Sequence, residues 1–345
     1  MKKSFAASAV PLLTAVLTGV LGLTACSSAG GGGGAETINI VGFAVPEAAN
    51  DAIADAFTKT DEGKDAKFSA SYGASGDQSR KVADTNGKDV DYVHFSLEPD
   101  VTRLVDAGLV APDWNTGAGK GIVSSSVAVI AVQKGNPLGI KDWDDLAKPG
   151  VKLITPNPAT SGSAKWNVLA LYSYAKANGA TEAEADAFLG KVFKNVVTWA
   201  ESGRVATEAF KNGVGNVLLT YENEAILARQ KGQALDYIVP PHSFLIENPG
   251  AILIKSDPIA KKWLDFVLSD AGQTEFVKKG FRPVGDLDIS GITVEGANDP
   301  SNPFPTPTLT TAADLGGWKA INAEWFGKDG KKLRFDRLYD EATKK

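Results

Sequence analysis

The chain is predicted to be an α/β protein in two domains, each an open sheet with helices on its faces. From Ile38 onward short apolar runs alternate with amphipathic helical patterns, the signature of that class. Roughly 320 residues follow an N-terminal leader, more than one core usually takes. A Gly/Ser-rich stretch from Asn115 to Ser126 interrupts the alternation ahead of the apolar run Val127 to Gln133, and reads as a crossing between domains.

In the leader, Lys2 and Lys3 give a positive start, Phe5 to Leu23 is mostly apolar, and Leu23-Thr24-Ala25-Cys26 fits a small-residue cleavage site. Pro11 and scattered Ser, Thr and Gly argue against a membrane span. The Leu-Thr-Ala-Cys ending resembles the lipobox of bacterial lipoproteins. The resemblance implies a signal peptide over residues 1–25, lipid on Cys26 and anchorage to the outer face of the cell membrane, where stable tethering takes more than one acyl chain. Residues 26–36, with glycines at 30 to 34, then form a flexible tether. Cys26 is the only cysteine, which excludes an intrachain disulfide or a cysteine metal cluster, so the core must stabilise the fold. Net charge goes from −5 to −7 once Lys2 and Lys3 are removed. Such a chain has no general attraction for nucleic acid or an anionic membrane surface. An anionic ligand must be held by local, directed groups.

In chain order, strands are expected at Ile38 to Phe43, Lys67 to Tyr72 and Val90 to Phe95, with helices at Pro46 to Thr60, Gln78 to Asp84 and Pro99 to Ala107. Beyond the crossing, a short helix at Trp143 to Ala147 leads to the apolar run Val151 to Ile154. Helices follow at Val168 to Lys176 and Glu182 to Phe193, a strand at Val196 to Trp199, a helix at Val205 to Asn212 and a strand at Val217 to Thr220. From Asp236 the chain returns toward the first domain. Pro240 and Pro241 break the pattern before a strand at Ala251 to Ile254 and helices at Ile259 to Leu268 and Thr274 to Lys279. The Pro-, Gly-, Asp- and Thr-rich remainder is expected to wrap the surface, with a late helix near Lys319 to Trp325.

Function is carried by the stretch Pro156 to Asn167, which reads Pro-Asn-Pro-Ala-Thr-Ser-Gly-Ser-Ala-Lys-Trp-Asn. The prolines hold a turn, Thr160 and Ser161 are placed to cap the following helix, and Gly162 keeps bulk away from the backbone. A helix N-terminus with free N–H groups, hydroxyls and no acid suits an oxyanion. Two more Ser-Gly turns fall at strand ends: Ser75-Gly76, and Ser202-Gly203 followed by Arg204. Tyr221 ends another strand. Each alone is an ordinary capped helix or turn. Together they occupy the carboxyl ends of strands, where open α/β sheets bind ligands.

Catalysis has little to draw on. His94 and His242 are the only histidines, and no His-Glu-x-x-His, Gly-x-Ser-x-Gly or Walker pattern is present. Gly117 to Gly121 falls in a linker, and a Ser161 nucleophile has only Lys165 near it in sequence as a base. The expectation is a binding protein without metal or cofactor, a serine-dependent hydrolase being the remote alternative.

Several motifs also carry a family resemblance. Asp142-Trp143-Asp144-Asp145-Leu146, Lys148-Pro149-Gly150, the Gly73 to Gly76 loop, Tyr221-Glu222-Asn223-Glu224-Ala225 and Phe281-Arg282-Pro283-Val284 resemble the sulfate/thiosulfate-binding proteins of bacterial ABC importers. The version with Gly73-Ala74-Ser75-Gly76-Asp77-Gln78-Ser79-Arg80 and Pro240-Pro241 looks most like the actinobacterial sulfate-binding lipoproteins. The resemblance implies a two-lobed periplasmic-binding-protein fold of type II with hinge crossings. Residues 37–123 and 244–284 would form lobe 1, 124–243 lobe 2 and 285–345 the wrapping segment. It also implies a monomer that delivers sulfate or thiosulfate to a permease. The family's anion contacts fall on Ser75 with Gly76, on Ser161, Gly162 and Ser163, on Arg204 and on Tyr221. This chain has Ser163 where a second glycine is common, Arg204 where alanine is usual, and Tyr221 where enterobacterial relatives have tryptophan. The aspartate those relatives carry near the first strand has no match around Phe43 and Ala44.

Discrimination among tetrahedral anions follows from proton count. Sulfate has no proton, so a site of donors alone satisfies it. Phosphate keeps one and needs an acceptor, and an unpaired buried polar group costs about 1–3 kcal/mol. Phosphate and molybdate stay open as alternatives, and Asp77, expected to face solvent or cap its helix, is the acid to watch.

Overall fold

A computed structural model describes residues 36–327 and 332–344. The expected signal peptide, Cys26 and nearly all of the tether lie outside the described residues. Strands β1 (Thr37–Phe43), β2 (Lys67–Gly73) and β3 (Tyr92–His94) lie parallel in the order β2-β1-β3. Parallel pairing needs a crossover, and α1 (Glu47–Phe57) and α2 (Ser75–Asp84) supply it before α3 (Glu98–Asp106) leaves the sheet.

The strand β4 (Ile122–Gln133) belongs to both halves of the molecule. Past it come β5 (Leu153–Pro156), α4 (Gly162–Ala177), α5 (Glu182–Lys194), β6 (Val196–Ala200), α6 (Gly203–Lys211) and β7 (Val217–Tyr221), with β7, β5 and β6 again parallel. Then α7 (Glu222–Gln230), β8 (Leu235–Ile238) and β9 (His242–Ile252) bring the chain back. Ile122 to Val127 of β4 pair antiparallel with β9, while Ala128 to Val132 pair with β7; β9 in turn runs on to pair Gly250 to Ile252 with β3. Two antiparallel strands thus join two α/β lobes, which is the type II fold with hinge crossings. The helices α8 (Pro258–Leu268) and α9 (Asp270–Lys278) pack on the first half, and β10 (Thr308–Thr310), α10 (Gly317–Glu324) and α11 (Arg334–Thr343) complete the chain.

Several expected boundaries move. Ile122 to Ser126 is strand, not a loose crossing, although it lacks an apolar pattern. Its serines are buried and bonded instead: Ser124 Oγ lies 3.1 Å from His94 Nε2, and Ser125 Oγ donates to the Arg282 carbonyl at 3.2 Å. His242 opens β9 and is not in a loop, so that strand starts nine residues before the expected Ala251. The helices α2 and α4 begin at Ser75 and Gly162, well ahead of Gln78 and Val168, which puts both Ser-Gly turns inside a first helical turn.

Packing is aromatic at several joints. Trp263 meets Phe68 and Phe57 edge-on at 4.9 and 5.8 Å between ring centres. Trp318 of α10 meets Trp166 of α4 at 4.7 Å, and the Arg334 guanidinium of α11 sits 4.2 Å from the Trp325 ring and 4.7 Å from that of Tyr172. These contacts fasten the C-terminal segment, and Trp166 in particular ties it to the helix that carries the candidate site.

Candidate functional site

The first elements to meet are Ser75 and the loop after β3. Ser75 is buried at the start of α2; its hydroxyl donates to Asp100 Oδ2 at 2.6 Å and accepts the Ser96 N–H at 2.9 Å. Ser96 is wholly buried, and its Oγ lies 2.9 Å from the Tyr221 hydroxyl at the end of β7 in the other half of the sheet. From α4, the Trp166 indole N–H reaches the Ser96 carbonyl at 3.1 Å and its hydroxyl at 3.2 Å, while Asn248 of β9 donates to the same carbonyl at 3.1 Å. Ser96 is not among the residues expected at the site. Its signal is weak, because Phe95-Ser96-Leu97 is a strand-to-helix turn without a glycine.

Gly162 opens α4 directly opposite. A Cβ on it would fall 2.7 Å from Ser96 Cβ and 2.9 Å from Leu97 Cγ, so only glycine lets these two backbones approach. Ser163 side-chain contact extends to the Tyr221 phenol, and a Cβ on Gly203 would stand 3.1 Å from Ser163 Oγ and 3.3 Å from Val45 Cγ2. Gly76 is close to the Thr160 carbonyl, 3.3 Å from where its Cβ would be. Ser75, Gly76, Ser161, Gly162, Ser163, the start of α6 and Tyr221 therefore gather at one seam, drawn from the carboxyl ends of β2, β5, β6 and β7.

Helix capping sets what the seam offers. Neither expected hydroxyl caps α4: Ser161 is the N-cap residue without a side-chain cap bond, and Thr160 Oγ1 donates to the Glu201 carbonyl at 2.8 Å. No side chain caps α2 either, whereas Ser202 Oγ accepts the Val205 N–H in α6. First-turn N–H groups of α4 and α2 are thus left without a side-chain acceptor, and α4 and α6 carry no acid in their first turns. Partial positive charge collects where these ends meet.

Nearby ionisable groups are engaged. The Arg204 side chain is taken up by the protein itself: Nε and Nη2 fork onto the buried Glu224 carboxylate at 3.1 and 2.9 Å, so its expected part as an anion contact can rest only on the main chain. Burial alone would lower its pKa, and Glu224 more than reverses this. Asp77 pairs with Arg80 and is nearly half exposed, as expected for an acid facing solvent. Asp100 pairs with Arg103 at 3.2 Å, and the buried Glu222 with Arg282 at 2.8 Å. Burial pushes the Tyr221 phenol upward, keeping it a neutral hydroxyl. His94 lies behind the site between Asn50 Oδ1 at 3.2 Å and Ser124, and burial lowers its pKa to about 3.

A two-lobed α/β receptor with helix N-termini at the lobe seam is the architecture of a solute-binding protein. Residues 38–282 match the family described as bacterial extracellular solute-binding protein, and the chain belongs to that family. It is 38% identical to the sulfate-binding protein of Synechococcus elongatus over 95% of each chain. It is 36% identical to the thiosulfate-binding protein of Pseudomonas aeruginosa, over 82% of this chain and 85% of that one. The solved structure of the sulfate-binding protein SubI from Mycobacterium tuberculosis H37Rv aligns at a TM-score of 0.78 and 40% identity, covering 85% of this chain and all of that one. The family places the chain outside the cytoplasm.

Proposed function

We propose that the chain binds sulfate, with thiosulfate as the related ligand, and delivers it to the permease of an ABC importer. The observation that carries this reading is the convergence, from both lobes, of uncapped helix N-termini and the Tyr221 hydroxyl on one buried seam. The similarity to sulfate- and thiosulfate-binding proteins over nearly the whole chain supports it. The donors are the main-chain N–H groups of Ser75, Gly76, Gly162, Ser163 and Arg204, joined by the hydroxyls of Ser161 and Tyr221. The Ser75 hydroxyl is spent on Asp100, so that residue contributes its N–H. Charge-assisted bonds are each worth about 1.5–3 kcal/mol, enough for micromolar binding, about −8 kcal/mol, after desolvation costs.

In this reading residues 37–123 and 244–284 form lobe 1, residues 124–243 lobe 2, and 285–345 the wrapping segment. Lobe closure on the dianion makes the surface that the permease recognises, because only the closed form assembles both sets of donors. The protein acts as a monomer held to the membrane by lipid on Cys26, and turns nothing over. Calorimetric titration with sulfate, thiosulfate, phosphate and molybdate in parallel tests the assignment. Saturable heat with sulfate at one site per chain, and none with phosphate, is the expected outcome. Phosphate binding in place of sulfate would refute it.

A further inference from the structure

The Arg204 guanidinium spans the seam. On its own side it is forked onto Glu224, whose carboxylate is 2% exposed and also accepts Thr207 Oγ1 at 3.2 Å. Across the seam the same Nη2 donates to the Val45 carbonyl at 3.2 Å, and Nη1 lies 3.8 Å from the Glu47 carboxylate. Val45 lies in the turn after β1 and Glu47 opens α1 in the first half of the sheet; Arg204 and Glu224 stand in the first turns of α6 and α7 in the second. Glu224, itself held by Thr207, fixes the aim of the side chain, which leaves the bond to Val45 and the charge of Glu47 as its link to the other lobe. Bridging with a flexible arginine normally costs side-chain entropy, but here the two-pronged bond to Glu224 has already removed much of its rotamer freedom.

We infer that Arg204 is a latch between the lobes: a positioning residue whose side chain biases the open–closed equilibrium toward the closed form before any anion arrives. The inference rests on the proposed solute-binding function but is separate from the anion's identity, since every partner of the guanidinium is a group of the chain itself. A ligand then meets a population already enriched in the binding-competent state, and the apparent affinity rises by that enrichment.

The test reads the equilibrium without ligand. Small-angle scattering of the sulfate-free protein is compared for the wild type, Arg204→Met, and the double variant Arg204→Met with Glu224→Gln. The double variant avoids leaving a buried carboxylate unpaired and so keeps a folded protein for comparison. Both variants should show a larger radius of gyration than wild type when sulfate-free and should converge with it at saturating sulfate. Their sulfate dissociation constants should rise about tenfold, mainly through faster release. Scattering that is unchanged in the sulfate-free variants overturns the latch whatever happens to affinity. If the wild type binds no sulfate, the proposed ligand fails while the sulfate-free comparison still decides the latch.

Discussion

Replacing Gly162 by alanine should separate binding from folding. An added Cβ would sit 2.7 Å from Ser96 Cβ, 2.8 Å from Ser96 Oγ and 2.9 Å from Leu97 Cγ, against an optimum near 3.5–4.0 Å for carbon pairs. Ser96 cannot yield, because its N–H, carbonyl and hydroxyl are held by Ser75, Asn248, Trp166 and Tyr221. Relief therefore comes from parting the lobes by about 1 Å, which takes the Ser96–Tyr221 contact from 2.9 Å out of hydrogen-bond range. Overpacking costs about 1–3 kcal/mol and the lost hydrogen bond about 1 kcal/mol. Sulfate affinity should fall by roughly 30- to 1000-fold.

Within α4 the same substitution is neutral or mildly stabilising, since alanine suits a helix better than glycine. The two readouts therefore move in opposite directions. Titration calorimetry should record the loss of affinity while the sulfate-free melting temperature holds or rises slightly, and the melting shift produced by added sulfate should shrink. Wild-type affinity in Gly162→Ala would refute the reasoning about closure. So would a large drop in sulfate-free stability, which would place the contact in the core of the fold.

Two further outcomes concern stability. Arg282 forks onto the fully buried Glu222, which burial pushes to about 7, and its own N–H bonds the Ser125 carbonyl of β4. Arg282→Met strands that carboxylate and should cost about 3–5 kcal/mol in urea unfolding at pH 8, much of it recovered when Glu222→Gln is added; a single variant as stable as wild type would show that the pair carries no such cost. His94 stays neutral in the fold, with its pKa lowered to about 3, while the unfolded chain takes up a proton near 6.5. Stability from this group is thus complete above pH 6.5 and is lost as pH falls toward 3, by about 3 kcal/mol at pH 4. Glu222, raised above its usual value, acts in the opposite sense over an overlapping window. The difference between wild type and His94→Gln is consequently the readout: it should shift in the variant's favour from pH 7 to pH 4, and a constant difference would rule out the titration.

The sequence shows the sheet halves and most helices because their apolar periods are intact. It hides the strands that join the halves. In β4 the run Ser124-Ser125-Ser126 is buried without being apolar, its hydroxyls taken up by His94, Arg282 and the start of α7. In β9 Pro249 and Gly250 sit inside the strand, where a Cβ on Gly250 would strike Tyr92 Oη at 2.5 Å. The helix α11 is also missed, although Phe335, Leu338, Tyr339 and Ala342 recur at helical spacing, because the Pro-, Gly-, Asp- and Thr-rich stretch ahead of it makes the whole C-terminal remainder read as irregular. Turns bearing glycine stand out in the sequence as candidate ligand loops, Gly162 among them. Ser96 carries no such mark and becomes visible only when Tyr221, distant by 125 positions, arrives beside it.

The distribution of charge around the seam bears on how an acidic protein would serve as the proposed receptor for a dianion. Acids do approach: Asp77 in the first turn of α2, Asp100 behind Ser75, and Glu222 with Glu224 in the first turn of α7. Each is matched by an arginine, in turn Arg80, Arg103, Arg282 and Arg204. Pairing lowers their repulsion for a doubly negative guest, and on Asp100, Glu222 and Glu224 both oxygens that could accept the proton of hydrogen phosphate are already engaged. Meanwhile α4 and α6 keep first turns free of acid, so their dipoles act unopposed. On the proposed reading, preference for an unprotonated anion would come from acceptors already in use, the arginines would contribute by neutralising their own carboxylates, and the guest would be left to main-chain N–H groups and hydroxyls.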